Sequence, residues 1–257
     1  MRLAKKVAVV TGAAHGLGRA IAIGYAWEGA DIALVDIDKE GLEDTVKAIH
    51  ASGRKVLPFC ADVSEEREVQ DLVKDVIKEF GRVDILVNGV NLPEDMPFEK
   101  VTKEHWDRIM KVNLNSVFLC TKEFAKVMKD LGGGKIINLT STAAERGRAG
   151  QNVFCAAKAC IETFTSSAAL QLGQYNIYVN AIAPGVMLTE TPEKITDDEE
   201  LMEYRIRRLP FKRLGRADEI TGPAIFLASK DSSYMTGQTM VVDGGLTCRL
   251  DSCGGDE

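Results

Sequence analysis

The chain has 257 residues, of which 45% are hydrophobic and 27% charged, and this composition is typical of a soluble globular protein with a large core. Its formal net charge of −6 argues against nucleic acid as a main partner. No apolar run approaches membrane-spanning length, so we expect no membrane partner and a cytoplasmic location. The three histidines are scattered and the six cysteines lack metal-ligand spacing, so we predict no metal site.

The first predicted elements are a strand at residues 7–10 and a helix, joined by the glycine-rich turn T-G-A-A-H-G-L-G. Glycines in such a turn let backbone N–H groups approach a pyrophosphate at the helix N-terminus. A glycine-rich turn is a weak signal alone, and its position between a strand and a helix strengthens it. The candidate dinucleotide-binding residues of this turn are Gly12, His15, Gly16, Leu17 and Gly18.

A second predicted strand, at residues 32–35, ends at Asp36. A carboxylate at this point accepts hydrogen bonds from both ribose hydroxyls of NAD and repels the 2′-phosphate of NADP. The next residue is Ile37, so no arginine is offered to that phosphate. Asp36 has an alternative role as the cap of the following helix. The glycine-rich turn upstream favours ribose binding, and we therefore predict NAD rather than NADP.

Strands and helices alternate through the rest of the chain. Further strands are predicted at residues 56–59, 84–87, 136–140 and 179–183, with a last one near 237–242, and amphipathic helices lie between them. One of these helices is predicted to open with Ser64 as its cap and to end at Gly81. Cys155 and Cys160 are predicted to be small buried thiols on a later helix. The alternation predicts an α/β fold, a doubly wound parallel sheet of about seven strands with helices on both faces, in a single domain over residues 1–257.

Residues 136–163 carry the most informative pattern. A predicted strand ends at Ser141, a polar loop follows, and a helix then carries Phe154 and Lys158 on one face because they are four residues apart. This spacing resembles the active site of the short-chain dehydrogenase/reductase family. There, a Ser at the strand end and a Tyr-x-x-x-Lys on the helix transfer the proton that accompanies hydride transfer. In this chain Ser141 and Lys158 match, and Phe154 occupies the tyrosine position.

The resemblance covers about residues 6–246, and the glycine-rich turn has the family's T-G-x-x-x-G-x-G form. It implies an NAD-dependent oxidoreductase that interconverts a secondary alcohol and a ketone. It also implies that Ser141 orients the substrate oxygen, that Lys158 binds the nicotinamide ribose, and that Asn113 holds a water in a proton relay. A solvated polar role is the alternative for Asn113. The further cofactor contacts that the resemblance implies are Asp62, Val63, Asn88, Pro184, Gly185 and Thr189.

One loop departs from the family pattern. The family has Asn-Asn-Ala-Gly where this chain has Asn88-Gly89-Val90-Asn91, so only the first position matches. Val90 adds bulk, and Asn91 occupies a glycine position at which a positive φ is expected. This departure puts the affinity for NAD in question independently of Phe154.

Phenylalanine fills the volume of tyrosine but has no proton to exchange, whereas the family's reaction needs a titratable hydroxyl beside the substrate oxygen. Four interpretations follow. In the first, the chain is an active dehydrogenase whose tyrosine was replaced by engineering. In the second, it is a natural pseudoenzyme that supports an active partner subunit of the same fold. In the third, Ser141 and a water act as the acid, and in the fourth the chain is an NAD-sensing module without turnover. The altered loop at 88–91 favours the second interpretation, whereas the intact Asp36, Asp62, Asn113, Ser141 and Lys158 favour the first.

The resemblance also implies assembly into a dimer or tetramer, with itself or with an active relative, through the long helices and the last strand. Residues 189–215 are predicted to form a substrate flap, helical over 190–212, and residues 248–257 a polar tail. An anionic or CoA-linked hydroxy or keto substrate is one interpretation of the basic residues in and near the flap. A solvated face paired with the acids at 197–200 is the interpretation we favour. The basic residues are Arg146, Arg148, Arg205, Arg207, Arg208, Lys212 and Arg213.

Overall fold

The computed structural model describes residues 1–189 and 199–248. Nine strands lie in this part of the chain: β1 (Val7–Thr11), β2 (Asp31–Asp36), β3 (Val56–Cys60), β4 (Ile85–Asn88), β5 (Gly134–Leu139), β6 (Ile177–Pro184), β7 (Met187–Leu188), β8 (Gly215–Arg216) and β9 (Thr239–Val242). Seven of them form one parallel sheet in the order β3-β2-β1-β4-β5-β6-β9, while β7 and β8 pair with each other. The predicted doubly wound parallel sheet is confirmed.

Eight α-helices lie in the same described ranges: α1 (Gly16–Trp27), α2 (Lys39–Ile49), α3 (Glu66–Phe80), α4 (Lys103–Met110), α5 (Ser116–Asp130), α6 (Asn152–Leu172), α7 (Glu199–Arg208) and α8 (Thr221–Ala228). A π-helical turn, Lys111–Asn115, joins α4 to α5. α4, this turn and α5 therefore form one helical stretch that widens in the middle.

The core lies on both faces of the sheet because strand side chains alternate between them. In β1, Ala8 and Val10 belong to the hydrophobic cluster that α1, α2 and α8 cover. Val9 belongs to the opposite cluster, which α3, α5 and the end of α6 cover. All five β1 residues are buried, as expected of a strand enclosed on both sides.

The start of α3 differs from the prediction. Ser64 does not cap the helix, because its hydroxyl donates to the Asp62 carboxylate at 2.7 Å. The helix begins at Glu66, and the preceding residue makes no side-chain cap. Its end is as predicted, with Gly81 in the left-handed conformation at φ 74°.

The expectation that Cys155 and Cys160 are small buried thiols on α6 is wrong. Cys160 is exposed and Cys155 only half-buried, because the helix packs one side against the sheet and turns the other outward. The helical stretch Asn152–Tyr175 is also long and apolar enough, by length and composition, to cross a membrane. Core helices of soluble proteins pass the same test, so this property is weak support for a membrane span. Among the cysteines of residues 1–189 and 199–248, Cys120 on α5 is the buried one, and burial raises its pKa to about 12.

Candidate active site

The predicted site residues follow strands whose carboxyl ends meet at one edge of the sheet. The strand order runs outward from β1 in one direction and from β4 in the other, so the loops after these two neighbours diverge. In open parallel sheets the crevice at such a switch point is where ligands bind. The loops after β1, β2, β4, β5 and β6 surround this crevice.

The glycine-rich turn after β1 has no room for side chains at two of its glycines. A Cβ on Gly18 would lie 2.1 Å from the Gly12 carbonyl oxygen, and one on Gly12 would lie 2.7 Å from the Gly89 oxygen. Gly12 and Gly16 adopt positive φ values of 67° and 55°. No side chain caps α1, so its first N–H groups are left for another acceptor. Such a bare helix start is suited to an anionic phosphate.

Asp36 lies beside this turn and is tied to it. One of its carboxylate oxygens accepts from the Ala14 N–H and the other from the Asp38 N–H, each at 3.1 Å. Ala61 N–H also donates to the Asp36 carbonyl at 3.1 Å, which brings the loop with Asp62 to the same corner. The cap of α2 is Asp38, which accepts from the N–H groups of Glu40 and Gly41. Asp36 is therefore not the helix cap, and the alternative role considered for it is taken by another residue.

The helix cap Asp38 also binds the glycine-rich turn. Its second carboxylate oxygen lies 2.6 Å from Nε2 of His15, the residue that precedes α1. This hydrogen bond from His15 is the main cause that lowers the pKa of Asp38 below its usual value. His15 was predicted to contact the cofactor, whereas Asp38 was not predicted, because no local pattern reveals a pairing between two turns.

The loop after β4 fits closely against the turn after β1. The Gly89 N–H donates to the Thr11 hydroxyl at 3.0 Å, and that hydroxyl donates to the Val87 carbonyl at 3.3 Å. A Cβ on Gly89 would lie 2.5 Å from the Thr11 carbonyl oxygen, so an asparagine at this position would clash. Asn91 is absent from the residues with positive φ, which outside glycine are Lys5, Asn176 and Lys212 in the described ranges. The positive φ expected at Asn91 is therefore wrong.

The buried side chain of Asn88 makes hydrogen bonds that hold neighbouring elements of the site together. Its side chain is 2% exposed, and its amide donates to the Thr121 hydroxyl at 3.1 Å and to the Asn138 oxygen at 2.8 Å. Asn138 in turn donates to Thr165 of α6 at 2.9 Å. These hydrogen bonds link β4, β5, α5 and α6, so the predicted cofactor contact of Asn88 would fall to its main chain.

Asn113 is fully buried in the π-helical turn, so the solvated role considered for it is wrong. Its side-chain oxygen accepts from the Leu92 N–H at 3.0 Å, and its amide donates to the carbonyls of Leu92 and Ile109. These bonds anchor the loop after β4 to the long helix. Because the side chain is engaged by the main chain at both groups, a relay water would have to use main-chain atoms of this turn.

The structure places Lys158 beside Phe154, and the turn that begins at Ser141 packs against the same hydrophobic cluster. The Lys158 ammonium donates to the Leu139 carbonyl at 3.1 Å and lies 5.4 Å from the centre of the Phe154 ring. Ser141 accepts from the Ala143 N–H at 3.1 Å, and Ala143 belongs to the same hydrophobic cluster as Phe154. Lys158 is 1% exposed, and burial lowers its pKa to about 7. A buried amine close to its pKa at neutral pH therefore faces an aromatic ring without a hydroxyl.

Two polar residues that support this arrangement were missed. The Thr140 hydroxyl donates to the Lys158 carbonyl at 3.0 Å and so ties the end of β5 to α6. Gln151, which precedes α6, is buried and donates from its amide to Asp95 of the loop after β4. A main-chain bond of 2.7 Å from Met96 to Gly150 runs alongside. The loops after β4 and β5 are thus joined beside Phe154.

The remaining predicted residues approach the turn from β6. Gly185 donates to the Val242 carbonyl at 3.0 Å, and a Cβ on it would lie 2.8 Å from the main chain of Asp243. Thr189 lies against Gly16, since a Cβ on that glycine would be 3.4 Å from the threonine methyl. Pro184 ends β6, and Val63 is buried in the core next to Asp62.

The predicted flap is described only in part, because residues 190–198 lie outside the described ranges. Three of its basic side chains have local partners. Arg213 binds Glu219 through two bonds of 2.7 Å, Arg208 donates to the Tyr204 hydroxyl, and Lys212 donates to the Arg207 carbonyl. These partners engage the three cations without an anionic substrate. The predicted pairing with the acids at 197–200 falls largely on residues outside the described ranges.

Known proteins resemble this chain over nearly its whole length. A family model described as enoyl-(acyl carrier protein) reductase matches residues 12–247. A 3-oxoacyl-[acyl-carrier-protein] reductase of Thermotoga maritima is 37% identical over 246 residues, covering 96% of this chain and 99% of that protein. The subunit BbsD of a (2S)-[(R)-hydroxy(phenyl)methyl]succinyl-CoA dehydrogenase of Thauera aromatica is 36% identical over 245 residues, covering 95% and 98%. The crystal structure of an NAD⁺-bound xylitol dehydrogenase superposes with a TM-score of 0.90 at 30% identity, covering 95% of this chain and all of that one.

Proposed function

Because the chain belongs to the short-chain dehydrogenase/reductase family, we propose that it binds NAD and interconverts a secondary alcohol and a ketone at a rate strongly reduced by Phe154. Relatives with nicotinamide bound support the cofactor class. The observation that carries the proposal is the hydroxyl-free ring 5.4 Å from the buried Lys158 ammonium.

The residues around the crevice fit a nicotinamide dinucleotide. The main chain at Gly18 lies so close to the Gly12 carbonyl that no side chain fits there. The uncapped start of α1 offers its N–H groups to a pyrophosphate. The Asp36 carboxylate would accept from the ribose hydroxyls, which favours NAD over NADP. When bound, this group supplies hydride transfer.

The chain's own residues would hold the substrate oxygen but deliver its proton poorly. Ser141 donates its hydroxyl to that oxygen, and Lys158 holds the ribose with an ammonium whose pKa burial lowers to about 7. The ring of Phe154 excludes water from one side of the site and exchanges no proton. Loss of a positioned general acid/base costs about 10²–10⁴-fold in rate. We therefore expect an intact fold with little turnover.

A natural pseudoenzyme subunit is the second candidate function. The altered loop supports it, because Gly89 occupies a position too close to Thr11 for any side chain and the loop sequence thus suits its own surroundings. A single engineered change at Phe154 would leave that loop in the family's form. Two exposed apolar side chains on the long helices, Phe118 of α5 at 46% and Leu170 of α6 at 86%, support assembly with a second subunit. Native mass spectrometry of protein from its own host would separate a homo-oligomer from a hetero-oligomer.

The proposal is tested by comparing the unaltered chain with Phe154→Tyr. We expect equal NAD affinity by calorimetry and a kcat/KM about 10²–10⁴-fold higher in the variant over a panel of secondary alcohols. Phe98→Tyr, the same change at a side chain that is 80% exposed, is the matched control and should alter neither quantity. Tight NAD binding without activity in Phe154→Tyr would support an NAD-sensing module instead. Equal and rapid turnover in both proteins would contradict the proposal and would favour Ser141 with a water as the acid.

A further inference from the structure

We propose that Asp38 is a second determinant of cofactor choice, which holds His15 away from a 2′-phosphate and places a second negative charge beside Asp36. The inference rests on the proposed dinucleotide site. Asp38 would act through the side chain of His15 and is therefore a positioning residue.

The two oxygens of the Asp38 carboxylate have different partners. One accepts from the main-chain N–H groups of Glu40 and Gly41 at 3.1 and 3.2 Å and so caps α2. The other binds Nε2 of His15 at 2.6 Å. The cap fixes the carboxylate on the helix, and the fixed carboxylate then sets the direction of the imidazole.

The pairing lies next to the residue that would hold the ribose. Asp36 accepts from the Asp38 N–H with one oxygen and from the Ala14 N–H, adjacent to His15, with the other. Two carboxylates therefore enclose the part of the turn that carries the imidazole. Gly41 permits this closeness, since a Cβ on it would lie 2.8 Å from Cβ of Ala14 and 2.9 Å from Cε1 of His15.

The chemistry of this corner favours a ribose hydroxyl over a phosphate. A free imidazole offers a donor, and when protonated a positive charge, to a phosphate oxygen. Bound to Asp38, Nε2 is already engaged and any positive charge on the ring is neutralised. A phosphate on the 2′-oxygen would then meet two carboxylates and no free cation from this pair, whereas a hydroxyl can donate to Asp36.

Asp38→Asn tests the proposal, because asparagine caps helices about as well as aspartate but carries no charge. We expect the ratio of the NADP to the NAD dissociation constant, measured by calorimetry on the full chain, to fall about tenfold. The NAD constant itself should change less than about twofold. Asp44→Asn, which removes an exposed carboxylate paired with Lys47 elsewhere on α2, is the matched control and should leave the ratio unchanged. Adding His15→Ala to Asp38→Asn should reverse much of the gain for NADP.

Thermal unfolding of each variant checks that α2 is intact. If Asp38→Asn misfolds, Asp38→Ser replaces it in the same measurement, because serine is also an uncharged helix cap. An unchanged ratio in a folded, NAD-binding Asp38 variant would overturn the role of Asp38 alone. A tenfold fall that persists in the double variant would overturn the part assigned to His15. If the unaltered chain binds neither NAD nor NADP, the proposed function fails and this inference fails with it.

Discussion

Gly18→Ala perturbs the point at which the glycine-rich turn is most tightly closed. The added methyl group would lie 2.1 Å from the Gly12 carbonyl oxygen, 2.8 Å from the Gly12 carbonyl carbon and 3.1 Å from the Thr11 oxygen. All three neighbours are main-chain atoms, so α1 must move away from the turn by about 1 Å to restore a normal van der Waals contact. Such overpacking costs about 1–3 kcal/mol. In a protein of this size each kcal/mol lowers Tm by roughly 2–4 °C.

The same shift should weaken NAD binding more than it weakens the fold, because the N–H groups at the start of α1 would no longer converge on one position. We expect calorimetry to give at least a tenfold higher dissociation constant for NAD, together with a lower Tm by thermal unfolding. Gly222→Ala is the matched control, since Gly222 also lies in a helix and has no atom within 4 Å of the added methyl group. That change should leave NAD binding intact and slightly raise Tm. Unaltered NAD affinity and Tm in Gly18→Ala would refute the close approach of the turn to the cofactor.

Two further predictions concern buried polar groups. The Lys158 pKa is lowered from 10.5 to about 7 by burial, so the unfolded chain binds more protons than the folded one between these values, and stability should rise with pH across that range. Lys158→Met should therefore raise Tm more at pH 6.5 than at pH 9.5, and an equal effect at both pH values would contradict the burial cost. Thr11→Val removes the hydroxyl that links Gly89 to Val87, and the unpaired N–H should lower the free energy of unfolding by about 1–3 kcal/mol in urea titrations. If the free energy of unfolding falls by less than about 0.5 kcal/mol, as for a surface substitution, a water molecule has replaced the Thr11 hydroxyl as the partner of the Gly89 N–H.

The sheet and its order of elements were predictable because burial on both faces leaves a strong local pattern. Residues such as Val7 to Val10 are apolar throughout, and glycines mark the turn that follows. The spacing of Phe154 and Lys158 likewise fixes a shared helical face before any tertiary contact is known. These features depend on neighbours in the chain, and the structure agrees with them.

The contacts that tune the site were not predictable, because they join residues far apart in the sequence. The pairing of His15 with Asp38 and that of Gln151 with Asp95 depend on how neighbouring turns meet. Exposure of Cys160 was missed for a related reason. The outward face of α6 also carries apolar side chains such as Leu170, so its hydrophobic pattern does not reveal which side meets the sheet.

We propose that this protein binds NAD but lacks the group that moves the proton. The most direct measurement is the rate of NADH formation at 340 nm by the unaltered chain saturated with NAD, relative to Phe154→Tyr in the same assay. We expect the unaltered chain to be about 10²–10⁴-fold slower although calorimetry shows it fully loaded with NAD. NADH formation by the unaltered chain as fast as that of the variant would contradict the claim.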